Sequence, residues 1–579
     1  MDNNEEVSFK NLFFPFTNLK AFFLFFIIGI FVYFNSLFNQ FVWDDELQIV
    51  RNPHIHSLSN IPILFTRSVS VNGPYYKPVM MTIYSIIYFL FGYNTFFYHF
   101  LQLLLHITSA FLVFVILKKY IKAVIALFCS LIFLIHPINT EAVAYIASLQ
   151  ETLFFFFGIL SLYLIQKYQP KFIIYLLSFF LLLLSLLSKE TGICFVILVV
   201  IFGAIFTKSK FKFLIFGIST VASYSFMRYG VAHVFSANTK IQLIPISGLS
   251  LSQRILNIPE IIFYYIRTFI YPESLAINQQ WVVTRLDVPN FYLPFILDLL
   301  FFSILIIGGL YLYIIKNKFK TYLFFFLWFV IGLGLHLQII PLDMTVADRW
   351  FYFPMVGLLG MIGLLIQSLN FKRKYIFLAI GILILIIFSI RSIVRNADWH
   401  DKISLYTHDL KIYDSSEIES NLAVEYVSIK DYQNSLIHFR KSVALYPTEL
   451  NLSNLGYYYD LFGKYDIAES YYKKALLLNK YPYAQHKVII LSVYRRLILV
   501  YLHLNKIEDA ETLLKNKISN FSNDKYLWEY LSIAEYKRYH IKEASIDIQK
   551  AIQLGGGSES KKIYEEINNS NEIVLPPPQ

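Results

Sequence analysis

Two acids stand side by side at Asp44 and Asp45, in "FVWDDELQIV", directly after the apolar run "AFFLFFIIGIFVYFNSLF"; basic residues punctuate the later apolar stretches at Lys77, Lys189, Arg267 and Arg349. A carboxylate facing water at a membrane surface can act as a general base, taking a proton from an incoming hydroxyl. A phosphate leaving group needs cations to steady the charge that develops on it. Together these suit transfer of a glycosyl group from a lipid phosphate, with Asp44 or Asp45 as the base. The acid pair could instead hold a divalent cation through hard oxygens, but two acids without further spaced ones are a weak metal signal. His99 and His106 lie in one apolar helix, where an imidazole is more often a packed hydrogen-bonding residue than a ligand. Glu141 and Glu190, at helix mouths, could serve only the positive end of a helix dipole. Asp44 and Asp45 rank above them because adjacent acids at the first exit from the membrane have no evident capping role; Glu46 reads as a solvated neighbour.

The elements that must position these groups are membrane helices. Of 579 residues, 56% are hydrophobic and 15% charged, with a mean hydropathy of +0.53, outside the soluble globular range. Apolar segments of bilayer length recur to residue 394; from about Trp399 onward charge, Tyr and amphipathic spacing take over. The formal charge of +11 could point to nucleic acid, but the basic residues form short clusters between apolar segments rather than a stripe on a soluble face, so no nucleic-acid partner is expected. Cys129 and Cys194 both sit inside apolar stretches, leaving no disulfide framework. The acidic start, without a basic region or cleavage site, makes 21–39 a retained anchor rather than a signal peptide.

Five short loops are purely basic: "KKYIK" at 118–122, "QKYQPK" at 166–171, "TKSKFK" at 207–212, "KNKFK" at 316–320 and "FKRK" at 371–374. The positive-inside rule puts all five in the cytoplasm, so the chain crosses an even number of times between each pair. About eleven crossings result, near 21–39, 97–117, 122–138, 150–166, 172–187, 191–206, 213–234, 291–315, 321–340, 350–368 and 375–394. Residues 79–92 and 255–272 are expected to lie as helices on the outer surface, and Arg391 and Arg395 at an outer end mildly violate the bias. Residues 1–20 are then cytoplasmic. Loops 40–96, 139–149, 235–290 and 341–349 are external, with everything after 394. One face thereby collects "WDDE", "YYKP", "HPINTEAV", "SKET" and "LDMTVADRWFYFP". Any one of these could be a plain tether; five on one side point to a shared external site.

The tail repeats. Aligning 421–447 with 454–480 at an offset of 33 carries Leu422 onto Leu455, Tyr426 onto Tyr459, Ser435 onto Ala468 and Phe439 onto Tyr472. That is the tetratricopeptide period of about 34 residues. A third copy holds Leu497, Tyr501, Ala510 and Leu514, and a fourth Leu531, Ala544, Ile548 and Ala551. The fold expected is all-α: a polytopic membrane bundle over 21–394 and an α-solenoid over 395–555, with 556–579 a fraying tail. The solenoid offers a groove for an extended protein or peptide, or only a packing cap on the membrane part.

At these residues the sequence resembles a known family. The succession "FVWDDELQIVRNPHI", "YYKPVMMTIYSIIYFLFGYNTFFYHFLQLLLH", "HPINTEAVAYIAS", "LLSKETGI" and "VADRWFYFP", followed by the repeats, is similar to the transmembrane and tetratricopeptide repeat-containing O-mannosyltransferases and their bacterial relatives, from about residue 35 to 555. The resemblance implies a GT-C glycosyltransferase with a polyprenyl-phosphate sugar donor, mannose being the sugar it suggests, inversion at the anomeric carbon, an aspartate in the first external loop as base, and repeats on the same side. It matches the family's paired acids to Asp44 and Asp45, its Lys-Glu-Thr turn to Lys189, Glu190 and Thr191, and its Arg-Tyr-Pro segment to Arg349, Tyr352 and Pro354. His99, His106, His136, Glu141, Glu190, Asp348 and Tyr352 are the supporting residues, and Lys77, Lys189, Arg267 and Arg349 the phosphate binders. The departures are Lys77 for an Arg, Asn139 for a His, Gln102 for an Asn, Asp348 for a Glu, and Leu149-Gln150-Glu151 for Arg-Ala-Asp. These keep most charges while changing reach, so they bear on the donor sugar more than on the reaction.

The expected setting is a multi-pass membrane protein, in a bacterial inner membrane ahead of the endoplasmic reticulum, with membrane lipid, a lipid-linked sugar and a polypeptide acceptor as partners. The competing reading is a non-enzymatic membrane scaffold whose repeats recruit envelope or secretory proteins. A transporter would want ionisable residues at the midplane of several helices and inverted repeats, and neither is clear.

Overall fold

The computed structural model describes residues 17–69, 75–168, 171–235, 245–314, 318–369, 374–478, 484–569 and 571–576. They are helical almost throughout; the one β pairing among them is an isolated bridge between Gln279 and Val346. The chain divides into two compact units, Met1–Tyr413 and Asp414–Gln579. Helix Lys374–Asp398 and the short helix Lys402–Asp409 thus belong to the first unit, whereas the sequence pattern opens the repeat domain at 395.

In the first unit a helix occupies each stretch expected to cross. Among the described residues six are long and apolar enough by length and composition: Asn18–Phe38, Thr95–Leu117, Ile146–Lys167, Val288–Ile314, Asp348–Ser368 and Leu378–Asp398. A seventh follows if the pair Ala123–Ile135 and Pro137–Ala144, bent by 47°, is one span. Phe172–Ser188, Glu190–Phe206 and Phe319–Gly334 are apolar but shorter, and the stretch expected at 213–234 is helix Lys210–Ser225 followed by a wider turn. The helices at 79–92 and 255–272 are Pro78–Phe91 and Ile258–Ile270.

The basic loop at 118–122 marks one end of this bundle, beside the start of the first helix and the ends of two others. Lys118 donates to Asn18 (2.9 Å), Lys119 to the Gln166 carbonyl (2.6 Å), and the Lys122 N–H to Gln367 (2.6 Å). The polar turns lie at the opposite end of helix Thr95–Leu117, where His99 and Gln102 bond Asn39, Ala142 and Tyr145. Between the ends the core is aromatic: Phe133, Phe155, Phe195, Trp328, Tyr352 and Phe353 pack edge-to-face and stacked. Close approach at one crossing depends on Gly357. A Cβ there would strike the Phe329 backbone nitrogen and lie 2.7 Å from the Phe325 carbonyl oxygen. Gly357→Ala is expected to destabilise the bundle by about 1–3 kcal/mol, read as a lower melting temperature of the detergent-purified chain.

The second unit is a tandem of helical hairpins: Ser416–Ser428 with Tyr432–Leu445, Glu449–Leu461 with Tyr465–Leu478, Ala484–His503 with Ile507–Ile518, and Lys525–Lys537 with Ile541–Gln553. Each hairpin turns through one residue with positive φ, at Lys430, Gly463, Asn505 and Tyr539. Small residues are buried where the helices of a hairpin cross, among them Ala468, Ala475, Ala510, Ala544 and Ala551. The repeat pattern therefore maps onto a tetratricopeptide-type solenoid. Its end corrects the expected fraying tail. Ser558–Asn568 is a further helix that buries Ile563 and Ile567 in the repeat core, since a last hairpin leaves an apolar face that must be covered.

Candidate active site

The acid pair sits on the turn that leaves the first helix. Trp43 has φ +50°, a left-handed backbone rare for a bulky side chain, and its surroundings hold it there. Its ring meets Tyr406 edge-on at 5.6 Å, and the buried Asp45 carboxylate accepts from the backbone N–H of Val42 (2.9 Å) and of Ala147 (2.7 Å). Asp45 is thus a clasp between the first loop and the segment at 145–148. This corrects the expectation that the pair has no capping role: the capped amide of Ala147 is 102 residues away, beyond any local signal.

Asp44 is arranged differently. Its backbone N–H donates to the Tyr145 hydroxyl (3.1 Å), and its carboxylate faces Arg349 and Lys77, with Asp343 as a third, negative neighbour. Burial pushes the Asp44 carboxyl above its ordinary range while Arg349 and Lys77 pull it back. Burial raises Asp45 further, well above that range, against the pull of its two amides. Of the two, Asp44 is the one on which Arg349 and Lys77 both act.

Lys77, Lys189 and Arg349 stand at three different helix starts, where polar side chains meet the unpaired first-turn amides, and Arg228 lies in the wide turn after helix Lys210–Ser225. Arg349 opens helix Tyr352–Ser368 through the turn Asp348–Phe351. Its guanidinium ion-pairs with Glu141, and its backbone N–H donates to the same carboxylate at 2.9 Å. Its Nε lies 3.9 Å from Glu151, which ion-pairs with Lys189. Arg228 bonds Glu190 at 2.7 Å and the Tyr224 hydroxyl at 2.9 Å. Lys77, which precedes helix Pro78–Phe91, is the exception. It is 8% exposed, lies 4.4 Å over the Tyr75 ring and makes no ion pair among the described residues, although Glu190, Asp343 and Glu151 face it.

The structure thus joins Asp44, Lys77, Lys189, Arg349, Glu141 and Glu190 in one cluster. It leaves Arg267 out. Helix Ile258–Ile270 buries Ile261, Tyr264, Tyr265 and Thr268, so Arg267 falls on the opposite, exposed face, over Phe263. Asp348 points away from the cations to the Tyr264 hydroxyl, which also accepts from Gln279 (2.7 Å). The histidines are packing residues. His106 Nε2 donates to the Leu134 carbonyl (2.8 Å), so its Nδ1 accepts from the Tyr352 hydroxyl (2.7 Å). His136 donates to the Phe269 carbonyl (2.9 Å) and accepts from the Ile138 N–H, capping the bent pair. His99 bonds the Asn39 carbonyl. Glu46 is not merely solvated: it pairs with Arg51 at 3.0 Å and Lys402 at 3.6 Å. Arg395, expected as an outer-end charge, is buried against Asp409 at 3.3 Å and Asp398 at 3.4 Å.

Sequence reasoning misses Asp343, Arg228 and the role of Glu151. Asp343 accepts from the Tyr75 hydroxyl (3.2 Å). A signal exists for Arg228, a lone base in an apolar run, and for Asp343, the first acid of the polar turn at 342–354. Gln102 donates to the Ala142 and Tyr145 carbonyls at 2.7 and 2.8 Å and so sets the backbone that carries the Asp44 partner. Among the described residues no group of three His, Cys, Asp or Glu is placed to hold a metal ion.

The sequence is similar to three curated proteins. A protein O-mannosyl-transferase of Caenorhabditis elegans is 26% identical over 404 residues, covering 66% of this chain and 56% of the worm protein. The curated homologues of this chain are protein O-mannosyl-transferases. Protein O-mannosyl-transferase TMTC3 of Homo sapiens is 23% identical over 562 residues, 84% of this chain and 59% of the human protein. The chain therefore spans a little over half the length of the curated relatives it matches. No protein-family model matches the sequence. A chain of the Cut9–Hcn1 assembly superposes with a TM-score of only 0.27 at 12% identity, over 88% of this chain and 91% of that one, and carries no argument.

Proposed function

We propose that this chain is a membrane glycosyltransferase that moves a sugar, mannose first among candidates, from a polyprenyl phosphate to a hydroxyl of a polypeptide on the extracytoplasmic face. One observation carries the reading: Asp44, at the exit of the first helix, faces Arg349 and Lys77. A base thus sits across from cations, as a displacement at a sugar carbon between a hydroxyl and a phosphate requires. The names of the relatives support the same class.

In the proposed step Asp44 accepts the proton of a Ser or Thr hydroxyl as its oxygen bonds to the anomeric carbon. The bond from that carbon to the phosphate oxygen breaks, and the electron pair leaves with the polyprenyl phosphate. A single displacement inverts the anomeric centre. Asp45 does not touch the substrate; it fixes the turn on which Asp44 rides. The eleven-crossing topology, which puts the repeats on the face of the Asp pair, belongs to the same proposal, with the solenoid groove holding the acceptor. The position of the site at the end of the bundle away from Lys118 and Lys119 favours it.

The test is sugar transfer from polyprenyl-phosphate mannose to Ser/Thr peptides by the purified full chain in lipid nanodiscs; no transfer from this or any other polyprenyl-phosphate sugar overturns the proposal. The pH profile adds a second reading. Asp44 must be ionised to act, and burial lifts its pKa, so kcat/KM is expected to fall on the acid side along a limb that lies above the ordinary carboxylate range of about 4. A flat profile down to that range argues against Asp44 as base.

A further inference from the structure

We infer that the first outer loop carries a phosphate subsite built by Lys77 and Arg67, with His54 and Asn52, and that this subsite, rather than Arg349 and Lys189, takes the phosphate of the donor. The inference rests on the glycosyltransferase reading for the identity of the donor.

Charge balance comes first. Arg349, Lys189 and Arg228 each already hold a carboxylate, on Glu141, Glu151 and Glu190. A new anion at any of them must compete with an ion pair whose partner is fixed in the fold. Lys77 and Arg67 make no ion pair among the described residues, so their charges are available to a ligand. The Lys77 ammonium is also nearly buried, and burial lowers its pKa; Glu190, Asp343 and Glu151 act on it, but none of them pairs with it directly. A buried cation in that condition gains most from an arriving anion.

Lys77 and Arg67 line one cavity, together with Asn52, His54, Ser68 and Met81, and among the described residues no carboxylate lines it. The cavity admits a group of about one water's size. One phosphoryl oxygen fits, while the ester substituents remain outside. The site is built rather than incidental. Asn52 is 8% exposed, accepts from the His54 N–H (3.1 Å) and donates to the Gln48 carbonyl (3.2 Å). The Arg67 guanidinium donates to His54 Nε2 at 2.9 Å. Because guanidinium only donates, that nitrogen carries the lone pair and the proton sits on Nδ1. His54 therefore orients Arg67 without neutralising it. The Val69 N–H bonds the Tyr75 carbonyl (2.9 Å), tying the Arg67 side of the loop to the Lys77 side.

Lys77 also faces Asp44. A phosphate bound at Lys77 and Arg67 therefore leaves the sugar between that subsite and the base. Arg349 then has a separate role, in which with Glu141 it holds positive charge opposite Asp44 and keeps that carboxylate ionised.

The experiment uses the full chain in nanodiscs with citronellyl phosphate, an isoprenyl phosphate without sugar, and with inorganic phosphate as a second probe. Arg67→Gln and Lys77→Gln are each expected to weaken citronellyl phosphate binding about tenfold to a hundredfold, and Arg67→Gln to raise the donor KM with little change in kcat. Asp44→Asn removes a negative charge that acts on Lys77, so it should bind the probe at least as tightly as the wild type does. Because Arg67 is exposed, its replacement does not depend on the buried Lys77 variant folding. Binding unchanged in Arg67→Gln overturns the subsite. Inorganic phosphate that competes as well as the isoprenyl ester at equal concentration overturns the assignment to a lipid-linked donor. A wild type that transfers sugar while Arg67→Gln keeps its donor KM retains the transferase and removes the subsite; Arg67-dependent binding without any transfer does the reverse.

Discussion

Asp44→Asn is expected to lower sugar transfer about 10²- to 10⁴-fold, with the melting temperature of the purified chain close to that of the wild type. Its neighbour should behave in the opposite way. Asp45 accepts one backbone amide on each carboxylate oxygen. Asn offers one acceptor oxygen, so Asp45→Asn turns an NH₂ toward either the Val42 or the Ala147 N–H and leaves a buried donor unpaired. That costs about 1–3 kcal/mol and should appear as a lower melting temperature together with a fall in activity from a displaced Asp44. Transfer and thermal melting, measured side by side on both variants, separate the two roles. Equal loss of stability in both would remove the division between base and clasp. Full transfer by Asp44→Asn would remove the base and favour a membrane scaffold carrying the repeats.

The second large effect lies at Arg349 and Glu141. Both are buried, at 8% and 2% exposure, and each is the other's charge partner. Removing one partner strands the other, which destabilises by about 3–5 kcal/mol. Glu141→Gln and Arg349→Gln are each expected to reduce melting temperature sharply and to abolish transfer. The double variant, with no stranded charge, should recover much of the stability and none of the activity, because Asp44 then loses the cation that opposes its burial. Thermal melting of the three variants reads the coupling; additive losses would show that the pair is not the unit described.

The parts legible from the sequence are those written in local, periodic patterns. Apolar runs mark the helices, because a chain in hydrocarbon must satisfy its own backbone. Purely basic loops mark which turns should share one side, and the contacts of Lys118, Lys119 and Lys122 bring the 118–122 loop to Asn18, Gln166 and Gln367. The spacing of Ala468, Ala510 and Ala544 marks the hairpins of the solenoid, since only small residues fit where paired helices cross. Asp44 and three of the four cations read from the sequence, Lys77, Lys189 and Arg349, also lie in one region of the fold. Arg267 does not, because its helix turns Ile261, Tyr264, Tyr265 and Thr268 among others to the core and leaves it outside.

Division of labour inside the cluster is not legible there. Asp44 and Asp45 are the same residue type in adjacent positions, and what separates them is the amide of Ala147, 102 residues on. Glu141 and Arg349 are 208 residues apart, yet their pairing decides that Arg349 is spoken for and Lys77 is not. Residue types and periods set the charges, the helices and the repeats, because those follow from chemistry within a turn or two of chain. Which charge neutralises which, which carboxyl is tied to backbone and which faces the cations, and where an unpaired ammonium remains, depend on distances across the packed bundle and on the cost of burying charge, and only the assembled fold sets both.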